Sequence, residues 1–135
     1  MSAAPCPPPH ETTGSLRCRL DPHALAALRA LDAGAPGGLL ARLVPAFERT
    51  LDRGLGEINT ASQAELDRDR IARAAHQLKS ACAHVGALEA AAQCADLERD
   101  CRSPAPSDPR PALAALRHTL EGVRIAVRDL SEAAP

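Results

Sequence analysis

Six apolar residues near the C-terminus, Leu113, Leu116, Leu120, Val123, Val127 and Leu130, recur alternately three and four positions apart. On an α-helix they form one stripe along about five turns. A stripe of that length must be covered by other helices, so the spacing predicts a helical bundle. No stretch of the chain shows the two-residue alternation of a strand. Ala, Leu and Arg dominate, with one Phe and neither Tyr nor Trp. The core must then be filled by Leu, Val, Ile and Ala from closely packed helices. A length of 135 residues fits one domain.

The rest of the chain is punctuated into four more helices. Residues 1–17, with Pro5, Pro7, Pro8 and Pro9, predict a disordered N-terminal segment or linker, and the folded domain is expected over 18–132. Asp21 can cap a first helix opening at Pro22, with Leu20 stapled onto Leu25. Leu25, Leu28 and Leu31 are its stripe, and Gly34 ends it. A second helix follows Pro36-Gly37-Gly38, striped by Leu40, Val44, Phe47, Leu51, Leu55 and Ile58. Pro45 within it predicts a kink or the start of regular helix, and Gly54 and Gly56 should weaken its far end. Ser62 with Glu65, or else Asp67, caps the third helix. A fourth opens at Leu88 and runs to about Arg102, with Leu88, Ala91, Cys94, Leu97 and Cys101 inward and a Glu98–Arg102 ion pair. Ser103 to Pro111, with four prolines, is a loop. The expected fold is all-α, an antiparallel four-helix bundle with a short additional N-terminal helix laid across one end.

Residues 71–88 carry the functional information. At about 100° per residue, Ile71, Ala74, Leu78, Cys82 (with Ala81), Val85 and Leu88 share a core-facing side. The other side holds Ala72, Arg73, His76, Lys79, Ser80, Ala83, Gly86 and Ala87. A solvent-facing surface is ordinarily mostly charged. This one is a flat strip of small residues with an imidazole and an ammonium standing on it, a surface on which another protein can settle closely. Lys79 is the only Lys among sixteen basic residues and lies one turn from His76. A compact, mobile ammonium suits a group that must meet a phosphoryl group and then release it. Neutral imidazole is both a competent nucleophile near pH 7 and, once phosphorylated, a good leaving group. The bland alternative is a solvated surface His beside a surface Lys.

Other chemistries are poorly served. A formal charge of −1 with scattered arginines and no stacking aromatics argues against nucleic acid. No run approaches a membrane span and the N-terminus lacks the form of a secretory signal, so a cytoplasmic protein is expected. The five cysteines are odd in number, and Cys82, Cys94 and Cys101 read as buried thiols. A metal or redox bundle using Cys82, His84, Cys94 and Cys101 is conceivable, but the spacing fits no standard zinc pattern. His84 reads as an ordinary, partly exposed His. Arg73 either guides an acidic partner surface or is simply solvated. No Gly-rich phosphate loop is present, and no carboxylate cluster on the His76 face can hold Mg²⁺.

The run Ala75-His76-Gln77-Leu78-Lys79-Ser80, followed by Val85-Gly86-Ala87, resembles the motif of histidine-containing phosphotransfer (HPt) domains of bacterial two-component phosphorelays. The likeness extends through Leu88, Cys94, Leu97 and Glu98 and back to Leu20-Asp21, covering roughly residues 18–131. Ser80 departs from the commoner Gly but is still small. The resemblance implies that His76 is the phosphoacceptor and Lys79 supports the phosphate. Ala72, Arg73, Ser80, Ala83, Gly86 and Ala87 would then form the receiver-docking surface. It implies response-regulator receiver domains and a hybrid sensor histidine kinase as partners, a monomeric carrier and no intrinsic cofactor. Mg²⁺ would come with the receiver, and no ATP-dependent kinase activity of the chain's own is expected. The rival function is a helical adaptor that docks on a receiver or kinase without carrying phosphate.

Overall fold

The computed structural model describes residues 20–34, 38–63 and 65–133. The Pro-rich stretch 1–17, Cys6, His10 and Cys18 lie outside them. Among the described residues there are five helices and no strand: α1 (Pro22–Gly34), α2 (Leu39–Ala61), α3 (Arg68–His84), α4 (Leu88–Cys101) and α5 (Arg110–Ala133).

Local chemistry sets the boundaries. Asp21 caps α1, its carboxylate accepting from the Ala24 N–H at 3.0 Å. Asp32, at the far end of α1, accepts from the Leu40 N–H at 2.9 Å and so ties down the start of α2. The α3 cap is Asp67, which accepts from the Arg70 N–H at 3.1 Å. Its rival Ser62 instead closes α2. Helix α2 begins six residues before Pro45, so the proline lies inside an unbroken helix and does not mark its start. The loop after α4 is held by Asp100, which accepts from the Ser107 hydroxyl at 2.7 Å and the Ser107 N–H at 3.2 Å. Helix α5 starts before the loop was expected to end, since the Pro109 carbonyl already accepts from the Leu113 N–H at 2.8 Å.

Packing closes α2 to α5 into a ring. Helix α2 touches α3, α3 touches α4, α4 touches α5, and α5 returns to α2; α1 lies on α2. The core is almost wholly aliphatic, built on Leu51, Ile58, Ile71, Leu78, Leu116, Leu120, Val123 and Val127. The C-terminal seam is buried over its whole length, from Leu113 to Leu130. Along α2 and α5, Asp52 pairs with Arg124 and Glu48 with Arg128.

Two glycines have structural tasks the sequence left unread. Gly54 is buried, and a Cβ there would lie 2.7 Å from the Leu78 side chain. It does not merely weaken α2; it lets α2 and α3 approach closely. Gly86 ends α3 in the left-handed region at φ 78°. Its carbonyl accepts from the Asp21 N–H at 2.7 Å, which seats the start of α1 on the α3–α4 turn.

Some apolar positions were misphased. Leu88 is 54% exposed, because α4 restarts after Gly86 and Leu88 lies about 120° round from Cys94. The inner face of α4 is Ala90, Cys94, Leu97 and Cys101, with Ala91 half-buried beside it. Leu31, at 62% exposure, likewise falls off the α1 stripe, while Leu25 and Leu28 are half-buried.

Candidate functional site

His76 stands in the middle of α3, nine residues after the Asp67 cap and flanked by buried Ala75 and Leu78. Those neighbours fix the helix against α2 and α4 and leave the ring itself outside. The imidazole is 56% exposed.

Its inner edge meets a carboxylate from the next helix. Both oxygens of Glu98 on α4 lie 3.2 Å from His76 Nδ1. Lys79 Nζ is 3.4 Å from Glu98 Oε1, and Arg102, one turn along α4, donates to Oε2 at 2.8 Å. The Glu98 side chain is 13% exposed, against 35% for Lys79 and 48% for Arg102. A sunken carboxylate is thus ringed by three donors that reach solvent. Burial pushes the Glu98 carboxyl up, but hydrogen bonds from His76 and Lys79, and their charges, outweigh it and the net direction is down.

The contact with the carboxylate assigns the tautomer. An ionised carboxylate only accepts, so the proton of a neutral His76 sits on Nδ1. The Nε2 lone pair then lies on the other side of the ring, away from Glu98. Holding one imidazole nitrogen as a donor fixes the orientation of the ring and leaves the other nitrogen with a free lone pair.

The other anticipated residues divide. Arg73 is exposed beside His76 and paired with Asp69, one turn back. Ser80 and Ala83 are exposed further along α3. Ala72, Gly86 and Ala87 are not surface residues. Ala72 has 0% exposure because α3 is sandwiched between α2 and α4 and the close approach of the helices covers it. Gly86 and Ala87 fall beyond the end of α3, so extending its helical wheel through them misplaced both. Gly86 is covered by Asp21 and Ala24, and Ala87 is the 1%-exposed N-cap residue of α4. The strip around His76 is therefore shorter than read, comprising Arg73, Gln77, Ser80 and Ala83 on α3.

His84 lies two turns beyond His76. Its Nδ1 donates to the Ser80 carbonyl at 2.9 Å, since a carbonyl can only accept. Among the described residues no group of three or more His, Cys, Asp or Glu side chains can hold a metal ion. Cys82, Cys94 and Cys101 are buried and carry no disulfide. No helix among the described residues is long and apolar enough to cross a membrane.

In the sequence Glu98 reads as the ion-pair partner of Arg102 and as part of the family likeness, and its contact with His76 went unread. A signal was present. Gly86 folds α3 and α4 into a hairpin, and His76 and Glu98 stand at similar distances before and after it, ten and twelve residues. A polar residue beside buried Leu97 at that register faces the imidazole.

Residues 42–126, more than half of the chain, match the family model described as Hpt domain. The match starts within α2 and ends within α5. No curated protein and no solved structure gives a significant match.

Proposed function

This chain belongs to the Hpt domain family, and on that premise we propose that it is a phosphocarrier whose His76 takes a phosphoryl group from the aspartyl phosphate of a receiver domain and hands it to another. Family membership carries the broad role, phosphotransfer in two-component signalling. The observation that carries the finer reading is the exposed imidazole anchored through Nδ1 on Glu98.

In the proposed step the Nε2 lone pair attacks phosphorus. An N–P bond forms, the P–O bond to the receiver's aspartate breaks, and the carboxylate leaves with that electron pair. The Nδ1–H stays on the ring, and Glu98 offsets the positive charge the imidazole acquires. Lys79 and Arg102, partly exposed and paired with the same Glu98 that meets the ring, are cations that can turn toward the incoming phosphate. Mg²⁺ and most of the transition-state stabilisation belong to the receiver in this scheme. Docking uses Arg73, Ser80 and Ala83, joined by Gln77.

The reading includes an antiparallel arrangement of α2 to α5. Partners running in opposite directions support it: Asp52 and then Glu48 on α2 meet Arg124 and then Arg128 on α5. Glu57 and then Gly54 on α2 meet Arg70 and then Leu78 on α3.

The test is incubation with receiver domains charged from labelled acetyl phosphate. Acid-labile label is expected on the wild type and absent from His76→Gln. Receiver binding without label on the wild type would make the chain an adaptor instead.

A further inference from the structure

The outer face of α2 carries cations that the chemistry at His76 does not use. Arg42, Arg49 and Arg53 are exposed and stand seven and four residues apart, so they form one stripe about 16 Å long. Among the described residues none of the three has a hydrogen bond or an ion pair. The acids of α2 are committed elsewhere. Glu57 binds Arg70 of α3 at 2.7 Å, Asp52 binds Arg124 of α5 at 2.8 Å, and Glu48 pairs with Arg128. Arg49 and Arg53, one turn apart, also repel each other, which costs the helix stability. The stripe is thus uncompensated positive charge on an otherwise paired helix.

Contacts between α2 and α3 place the stripe beside His76. A Cβ on Gly54 would meet the Leu78 side chain at 2.7 Å, so Arg53 and Gly54 stand level with the middle of α3. Arg70 binds Glu57, which marks the edge of α3 that faces α2. Gln77, two turns beyond Arg70 on that edge, is exposed and adjacent to His76. On α2, Arg53 lies one turn before Glu57 and about 40° further round from buried Gly54, toward solvent. The exposed strip of α3 therefore continues across Gln77 onto Arg53 and Arg49. Of the two helices that border α3, only α2 offers exposed arginines without a partner. On α4, Arg99 pairs with Asp96, and Arg102 at its C-cap pairs with Glu98.

We propose that Arg49 and Arg53, with Arg42 beyond them, are the basic flank of the docking face and capture a receiver domain through carboxylates on the surface around its phosphorylated aspartate. The identity of the partner rests on the phosphocarrier reading. Its charge follows from chemistry: a domain that brings Mg²⁺ to a phosphoryl group holds the ion on oxygen ligands, carboxylates among them. The surface it turns toward His76 is therefore acidic, and a positive flank beside the imidazole attracts it. Lys79 and Arg102, by contrast, are already held by Glu98. Because the unpaired cations lie on the α2 side of α3, attraction also fixes which way round the receiver sits, with its more acidic edge over α2. Charges at this remove from phosphorus act on encounter more than on the chemical step. They raise the association rate and make it sensitive to salt, whose screening length is about 8 Å at physiological strength.

The probe is each receiver domain of the transfer assay, phosphorylated with acetyl phosphate. Arg49→Glu and Arg53→Glu are introduced together into the full chain. A second variant, Arg110→Glu with Arg117→Glu, changes the net charge equally at exposed positions of α5. Circular dichroism checks that both fold. In the α2 variant the second-order rate constant for phosphoryl uptake at low salt should fall about tenfold or more, with transfer at saturating receiver unchanged. Added sodium chloride should slow the wild type and leave the α2 variant almost unaffected. Arg49→Lys with Arg53→Lys keeps the charge and should keep the wild-type rate, as should the α5 variant. A wild-type rate or salt response in the α2 variant, or an equal loss in the α5 variant, overturns the proposal. So does binding to phosphatidylserine–phosphatidylcholine vesicles that the α2 variant abolishes while its receiver capture is unmoved; the stripe would then belong to a lipid surface. Calorimetry separates this proposal from the reading beneath it. A receiver that binds through the arginines without labelling His76 sinks the carrier reading and leaves the flank standing, whereas label on His76 at a rate the arginines do not affect does the reverse. If no receiver binds the chain, both fall.

Discussion

The proposed phosphocarrier role rests on how one carboxylate is shared. Glu98 holds His76 by Nδ1 and gathers Lys79 and Arg102 around the ring. Replacing it with Gln keeps the shape, removes the charge and no longer dictates the tautomer. Glu98→Gln should lower the rate of phosphoryl uptake by roughly 10-fold, about 1.4 kcal/mol of barrier, with receiver affinity unchanged. Single-turnover transfer at varied receiver concentration separates the two. The same carboxylate predicts a pH dependence. Its folded-state pKa is depressed from the ordinary 4.5, so it contributes stability above 4.5 that is lost as pH falls from there through the lower folded value. Urea titrations between pH 3 and 6 should show a shallower acid slope for Glu98→Gln than for wild type; equal slopes would remove Glu98 from the acid response. The juxtaposition of His76 and Lys79 was legible because both lie on one helix, where spacing is geometry. Glu98 required knowing how a second helix faces the first, and its nearer sequence partner Arg102 offered a sufficient explanation.

At the scale of elements, polar side chains that cap helices were easy to read and glycines were not. Asp21 and Asp67 cap the helices their positions suggest, because a cap is a local bond between residues three apart. Gly54 and Gly86 owe their identity to residues distant in the chain. A Cβ on Gly86 would sit 2.8 Å from the Ala24 Cβ and 3.0 Å from the Asp21 amide nitrogen, at a φ that L-residues rarely adopt. Gly86→Leu, which an open-surface position would make a docking variant, is thus expected to destabilise the fold by about 2–4 kcal/mol. Chemical denaturation measures the loss. Normal stability with weakened receiver binding would return Gly86 to the surface. The same reasoning explains Ala72 and Ala87: alanine is silent about burial, and only the packing of α3 between α2 and α4 decides it.

For the molecule as a whole, bundle and site are separable in a way that can be measured. Four helices closed into a ring bury an aliphatic seam from α5, while the groups of the proposed site come from α3 and α4 alone. The seam was legible because its spacing stays in phase over its full length without needing a partner to interpret it. The direction in which neighbouring helices run is instead expressed in contacts such as Asp52 with Arg124. If α5 serves only to complete the core, damage there should cost stability and not chemistry. Leu120 has 0% exposure in the middle of that helix. Leu120→Ala should lower unfolding free energy by about 2–5 kcal/mol, through lost burial and the cavity left behind. Well below its melting temperature, the folded variant should still accept phosphate at the wild-type rate, because Glu98 continues to hold His76. The comparison needs urea unfolding to fix the folded fraction and transfer measured per folded molecule. A rate that fell with stability would mean that the register of α3 on α4, and with it the 3.2 Å contact at His76, is set by the whole ring and not by the two helices that make it.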